Sequence, residues 1–304
     1  MAVKKKSVVV DPKVSTLLAE VLANPADDDA RLVYADALIA AGDPRGEFIA
    51  VQVELAKRGD KTEKQDKKTK PLWDKFRELH SKHSGKWNKP VKQFGREARW
   101  WWHRGFLRAI EINTMDTDGA KWLADILAGE PVVDLSTGAD KKQLDVPGIE
   151  RVERLAIHDE KPAQAIAQAK RLVNIRELRI GTHVKDAGML ALVKPAALGK
   201  VTHLSLGAPG VKSAASLAKL AASPLGKRLE IFEWLREDVT PDVAKIVLAM
   251  PKLHTFVYSY GYADETRDVL AKKFGDRLVE EDEGGTDYIF EGVTGVSHRR
   301  LPYP

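Results

Sequence analysis

A chain of 304 residues, 43% of them hydrophobic, holds enough apolar material for one elongated domain or two globular ones, and its composition is not that of a disordered chain. It contains no cysteine, which excludes a disulfide framework, a thiolate zinc site and a cysteine nucleophile, and fits a reducing compartment. The net charge of +5 is unevenly spread, with basic residues dominant from Lys57 to Arg104 and an acidic run from Glu280 to Glu283.

Residues 1–13 read as a loose tail with a turn signal at Asp11-Pro12. Its lysines precede only three valines, Val8 to Val10, too few for a signal-peptide core, and no later apolar run is long enough to span a bilayer. A soluble cytoplasmic protein with no membrane contact is expected. Val14 to Ala23 forms a first helix with Val14, Leu17, Leu18, Val21 and Leu22 on one face. Asn24 precedes Pro25, which disfavours the helical conformation and ends it. Asp27, Asp28 and Asp29 stand at the positive end of a second helix, which buries Leu32, Val33, Ala35, Leu38 and Ile39 and stops at Gly42. After the turn Asp43-Pro44-Arg45-Gly46, Glu47 to Ala56 continues as a third helix.

Two strings in this segment, Arg31-Leu-Val-Tyr34-Ala-Asp36 and Gly42-Asp-Pro-Arg45-Gly46-Glu47-Phe48-Ile49, follow Leu17-Leu18 in order. The stretch from Leu17 to Ile49 resembles the bacterial repeat-companion domain, a short helical module found ahead of leucine-rich-type repeats. Ala37 departs from the tryptophan common in that family, which puts the packing at that point in question. The resemblance implies a repeat-containing protein and no particular activity. On their own chemistry, Arg31, Tyr34, Asp36, Arg45 and Glu47 form either a polar network tying the helices together or a small binding site.

Arg58 to Lys70 has no large apolar residue and reads as a loop or solvated helix extension. Pro71 suits the first turn of a helix with Leu72, Trp73, Phe76 and Leu79 as its stripe. His80 and His83 lie on that helix without the further ligands a metal needs, so they are expected to be solvated and no metal site is assigned. Arg99-Trp100-Trp101-Trp102-His103-Arg104-Gly105-Phe106 follows. Its aromatic rings among cations either stack on nucleic-acid bases or cap the first strand of a repeat stack. The Arg-Gly-Phe is also similar to the segment joining the companion domain to its repeats.

From there one apolar spacing recurs: Ile149-Val152-Leu155-Ile157, Leu172-Ile175-Leu178-Ile180, Leu198-Val201-Leu204-Leu206 and Met250-Leu253-Phe256-Tyr258. Expected strand cores are 110–112, 133–135, 155–157, 178–180, 204–206, 229–231 and 256–258. Helices fall between them over 118–127, 162–172, 187–198, 214–222, 241–250 and 263–274. The fold class expected is α/β: a helical module over residues 1–104, then over 105–304 a strand–helix solenoid resembling a leucine-rich-repeat horseshoe with an irregular repeat. The usual asparagine after the strand is missing, with Gly181, Gly207 and Ser259 in its place, and Leu225 to Leu229 holds one residue more than its counterparts, predicting a bulge or register change. No Gly-rich phosphate turn follows a strand, which argues against a nucleotide-binding doubly wound sheet. Residues 277–279 and 287–291 are expected to add a closing pair of strands, and 297–304 a frayed tail.

No nucleophile elbow, Walker loop, His-Glu-x-x-His or dinucleotide fingerprint occurs, so neither an enzyme nor a cofactor is expected. Side chains between the apolar strand positions point to the opposite face of the sheet. Arg154, His158, Glu177, Arg179, His203 and Glu230 there make a mixed-charge row suited to an unidentified protein partner, or are merely solvated strand residues. The alternative from a different class is nucleic-acid binding through Lys86, Lys89, Lys92, Arg99, Trp101 and Arg104.

Overall fold

The computed structural model describes residues 12–58, 67–95, 98–112, 118–138, 142–193, 198–207, 213–235, 238–258 and 264–280. Three helices lead: α1 (Pro12–Ala23), α2 (Asp28–Ala40) and α3 (Arg45–Lys57). The Asp27 carboxylate caps α2 by accepting from the amides of Asp29 and Ala30 at 2.9 and 3.1 Å, satisfying donors the helix leaves open. The long α4 (Lys70–Trp87) and the single turn α5 (Lys89–Lys92) complete this region.

Two strands, β1 (Arg99–His103) and β2 (Phe106–Ile112), form an antiparallel hairpin. Its two-residue loop places Arg104 at φ 51° and Gly105 at φ 80°, the paired left-handed conformation that matches the twist of the flanking strands. Only glycine fits the second position, because a Cβ there would overlap Ile49 of α3.

Seven parallel strands follow, β3 (Asp134–Thr137), β4 (Arg154–Asp159), β5 (Glu177–His183), β6 (His203–Gly207), β7 (Ile231–Leu235), β8 (Thr255–Tyr258) and β9 (Leu278–Glu280). The nine strands make one sheet whose spatial order equals chain order, with β1–β2 its antiparallel pair. Between them run α6 (Gly119–Gly129), α7 (Glu160–Ile166), α8 (Asp186–Ala191), α9 (Ala214–Ala222), α10 (Pro241–Leu248) and α11 (Asp264–Phe274), and from α7 onward each packs on the next. The protein is thus a helical N-terminal region followed by a mostly parallel sheet with helices. Among the described residues no helix is long and apolar enough to cross a membrane.

The register explains the apolar spacing. Leu135, Leu155, Leu178, Leu204, Phe232 and Phe256 lie side by side across six strands, all buried. Phe232 and Phe256 stack with centroids 5.9 Å apart. The expected strand over 229–231 is shifted: β7 begins at Ile231 and its inward residues are Phe232 and Trp234. The extra residue is taken up in a 3-10 turn, Gly226–Arg228, which Ser223 secures by accepting from the Gly226 amide and donating to the Leu220 carbonyl. Leu229 then occupies the place of Val201, and the strand starts two residues later than its leucine suggests.

Two expected helices are shorter than their apolar pattern. The amides of Lys170 and Arg171 donate to the Asp145 carboxylate at 2.7 and 3.2 Å, drawing that stretch out of α7. Helix α8 ends at Ala191, ahead of Pro195. At the C-terminal end, β9 pairs parallel to β8, while the second expected closing strand, residues 287–291, lies outside the described residues, as does the tail.

Two apolar cores meet at α3. Ile49 and Val53 pack with Val21, Tyr34, Leu38 and Phe106, whereas Phe48 joins Trp87, Trp102 and the core beneath the sheet. His80, expected to be solvated, stacks on the rings of Phe76 and Phe48 at 5.7 and 6.4 Å, and burial holds its imidazole below its ordinary value. His83 lies 5.4 Å from the Trp87 ring.

Candidate binding groove

Because side chains alternate along a strand, the residues flanking each buried leucine share the other face of the sheet. The parallel register aligns Asp134, Arg154, Glu177, His203, Ile231 and Thr255 in one row, and Ser136, Ala156, Arg179, Ser205, Glu233 and Val257 in the next. Along the first row runs a groove of about 870 Å³ that reaches from Arg108 on β2 to Val279 on β9. The residues just before the strands form its rim: Glu153, Arg176, Glu230, His254 and Arg277, all exposed.

The floor is a fixed array of ion pairs. Arg154 holds Asp134 through two nitrogens, at 2.5 and 2.6 Å, and Arg108 reaches the same carboxylate at 3.4 Å. Arg179 donates to Glu177 at 2.5 Å on its own strand. His203 Nε2 lies 2.7 Å from Glu233, and its Nδ1 is 3.6 Å from Glu177. Glu177, His203 and Glu233 are 4, 4 and 6% exposed. Burial alone would raise the Glu233 carboxyl, but its hydrogen bond with His203 and the charge of Arg179 outweigh that and bring it down to about 2. Burial likewise works against the Arg179 cation, yet Glu177 and Glu233 hold it above its ordinary value. Glu233 and Arg179 are thereby held in their charged forms, and links run from β5 across β6 to β7.

Of the residues singled out for the protein-binding face, Arg154, Glu177 and His203 line the groove, but their polar ends are largely spent on neighbouring strands. Arg179 backs Glu177, and His158 pairs with the Ser136 hydroxyl at 2.9 Å. Glu230 precedes β7 and stands on the rim, outside the strand row expected for it; the outward positions of β7 are Ile231 and Glu233. Reading the extra residue in Leu225 to Leu229 as a complete turn would have revealed Glu233. Arg176, His254 and Arg277 carried no such signal, since they precede the apolar pattern.

In the basic region, Lys86, Lys89, Lys92 and Arg99 are exposed, while Trp101 is half-buried. Its neighbours Trp100 and Trp102 both donate their indole N–H to Asn88, at 2.9 Å each. Arg104 pairs with Asp28 at 3.1 Å. The charged string of the N-terminal module is likewise engaged. Arg45 donates to the Gly105 carbonyl at 2.8 Å, forks onto both oxygens of Glu130 at 2.9 and 3.0 Å, and lies 4.5 Å from the Trp102 ring. Glu130 also accepts from the Leu107 amide, and Gln52 from the Gly105 amide. Glu47 pairs with Lys75 on α4.

No family model matches the chain, and no curated protein matches it.

Proposed function

We propose that this chain is a non-enzymatic protein-interaction scaffold that grips its partner in the groove along the parallel sheet. The observation that carries the reading is the groove itself: a trough across eight strands, with charged rims of both signs over a floor locked by buried ion pairs. Such a surface is ordered before the partner arrives, so little entropy is lost there on binding. Mixed charge favours register and specificity over general stickiness.

The architecture we propose with it is a divergent leucine-rich-repeat-like solenoid carried behind a repeat-companion module. It is supported by the sequential strand order, the aligned leucine and phenylalanine row, and the Arg-Leu-Val-Tyr-Ala-Asp and Gly-Asp-Pro-Arg-Gly-Glu-Phe-Ile strings. In that architecture the grooved face is the inner one.

Charge reversal on the rim tests the function. Arg176→Glu combined with Glu230→Lys leaves the buried array intact, so thermal stability should stay within about 0.5 kcal/mol of the parent. Affinity capture from the native cell should lose the partners held by the parent chain. An unchanged set of captured partners with both charges reversed would count against the groove. Nucleic-acid binding, the second reading, rests on exposed Lys86, Lys89 and Lys92. A steep salt dependence of binding to DNA or RNA would favour it.

A further inference from the structure

The main chain along the rim of the groove is already committed. The carbonyls of Val133, Glu153, Arg176, Thr202 and Glu230 each accept two amides from the start of the next strand, at 2.8 to 3.1 Å. A carbonyl oxygen has two lone pairs, so these acceptors are filled and the amides beside them are spent. A bound segment gains no ladder of main-chain bonds here, as it would at an open sheet edge, and is read through side chains.

Those side chains are laid out in an order. The parallel register sets Glu153 before β4, Arg176 before β5, Thr202 before β6 and Glu230 before β7. Glu153, Arg176 and Glu230 are exposed, and among the described residues none of them makes an ion pair. Beyond Glu230 the floor turns aliphatic, with half-buried Ile231 on β7 and Val279 on β9 lining the groove. Towards β4 and β5 it is the buried ion-pair array.

Spacing narrows the occupant further. Neighbouring strands lie about 4.8 Å apart, so Arg176 and Glu230, two strands apart, are separated by about 9.6 Å along the groove. A polyproline II segment returns every third residue to the same side, about 9.3 Å on. An α-helix returns a side chain to one face at about 5.4 and 10.8 Å, on either side of that interval.

On the protein-interaction reading, which this inference rests on, we propose that the groove takes a polyproline II segment of the partner. An acidic residue of that segment faces Arg176, and a basic residue three positions on faces Glu230. An aliphatic residue two positions further turns to the floor between Ile231 and Val279. Glu153 repels an anion on the β4 side and so fixes the acidic residue over β5. The segment has no internal hydrogen bonds and keeps its main chain in water on the open side of the groove, so the filled rim carbonyls deprive it of nothing.

Fluorescence anisotropy of the full chain with a labelled, end-capped peptide, Asp-Pro-Pro-Lys-Pro-Leu, tests this against the charge-swapped peptide Lys-Pro-Pro-Asp-Pro-Leu. The parent chain should bind the first about tenfold more tightly, because two rim contacts turn from attraction to repulsion in the second. The chain carrying Arg176→Glu and Glu230→Lys should show the opposite preference, which general peptide stickiness cannot give. Ile231→Thr keeps a β-branched residue in the strand. It should weaken binding of the first peptide and leave unchanged that of a version with Gly in place of Leu. No saturable binding of the first peptide by the parent, or the same preference in both chains, overturns the proposal. Should that occur while rim reversal still abolishes partner capture, the polyproline II occupant is overturned and the scaffold reading is not.

Discussion

Arg45 carries more of the fold than any motif reading of its neighbourhood suggests. One guanidinium closes the hairpin carbonyl of Gly105, neutralises Glu130 and covers the Trp102 ring. Replacing it with alanine leaves Glu130 buried without its cation, and loss of one partner of such a pair costs about 3–5 kcal/mol. Urea unfolding of Arg45→Ala should show that loss, whereas Glu47→Ala, whose pair with Lys75 is exposed, should lose less than about 1 kcal/mol. The sequence marked Arg45 as polar and part of either a network or a site. It did not reveal Glu130, because 85 residues separate the two and only the folded hairpin brings them together. The same limit applies to Glu233, whose role depends on counting a turn correctly one unit upstream.

At the scale of elements, the join between α4 and β1 rests on Asn88. Its side-chain oxygen accepts from two indoles, and the residue is buried. Asn88→Ala strands both donors, at about 1–3 kcal/mol each if unsatisfied, and should shift tryptophan emission to the red as the rings find water. Unchanged emission and unchanged stability would show that the indoles are not held there. Strand cores with the 3-3-2 apolar spacing were legible because a buried row imposes it on each strand. Helix lengths were not: Asp145 intercepts the backbone after α7, a competition that apolar periodicity cannot record. The tryptophans were legible as a feature and not as a role, since stacking on bases and packing into a core call for the same residue type.

For the whole molecule, Glu233 and His103 lower stability in acid, while Glu130, whose carboxyl burial raises above its ordinary value, works the other way. Glu233 is held at about 2, below its ordinary 4.5; burial opposes this, and His203 and Arg179 overcome it. A depressed carboxylate contributes stability that is complete above pH 4.5 and is lost as pH falls towards 2. His103 is held at about 3, below its ordinary 6.5, by burial and then by the surrounding arginines. The unfolded chain therefore takes up that proton first, and stability falls as pH drops from 6.5 towards 3. Melting temperature should decline in two stages. His103→Gln should flatten the curve between about pH 6.5 and 4.5, and Glu233→Gln only below about 4.5. A His103→Gln curve parallel to the parent above pH 4.5 would remove the arginine-crowded histidine from this account.

The strand order also bears on how the chain is made. Every strand from β3 onward pairs with the one synthesised just before it, so no strand must wait for a distant segment to leave the ribosome. The hairpin and the helices that clamp it through Arg45 and Asn88 emerge first and offer β2 as the starting edge. The sheet can then lengthen in the direction of translation, each arriving strand finding its hydrogen-bonding partner already in place.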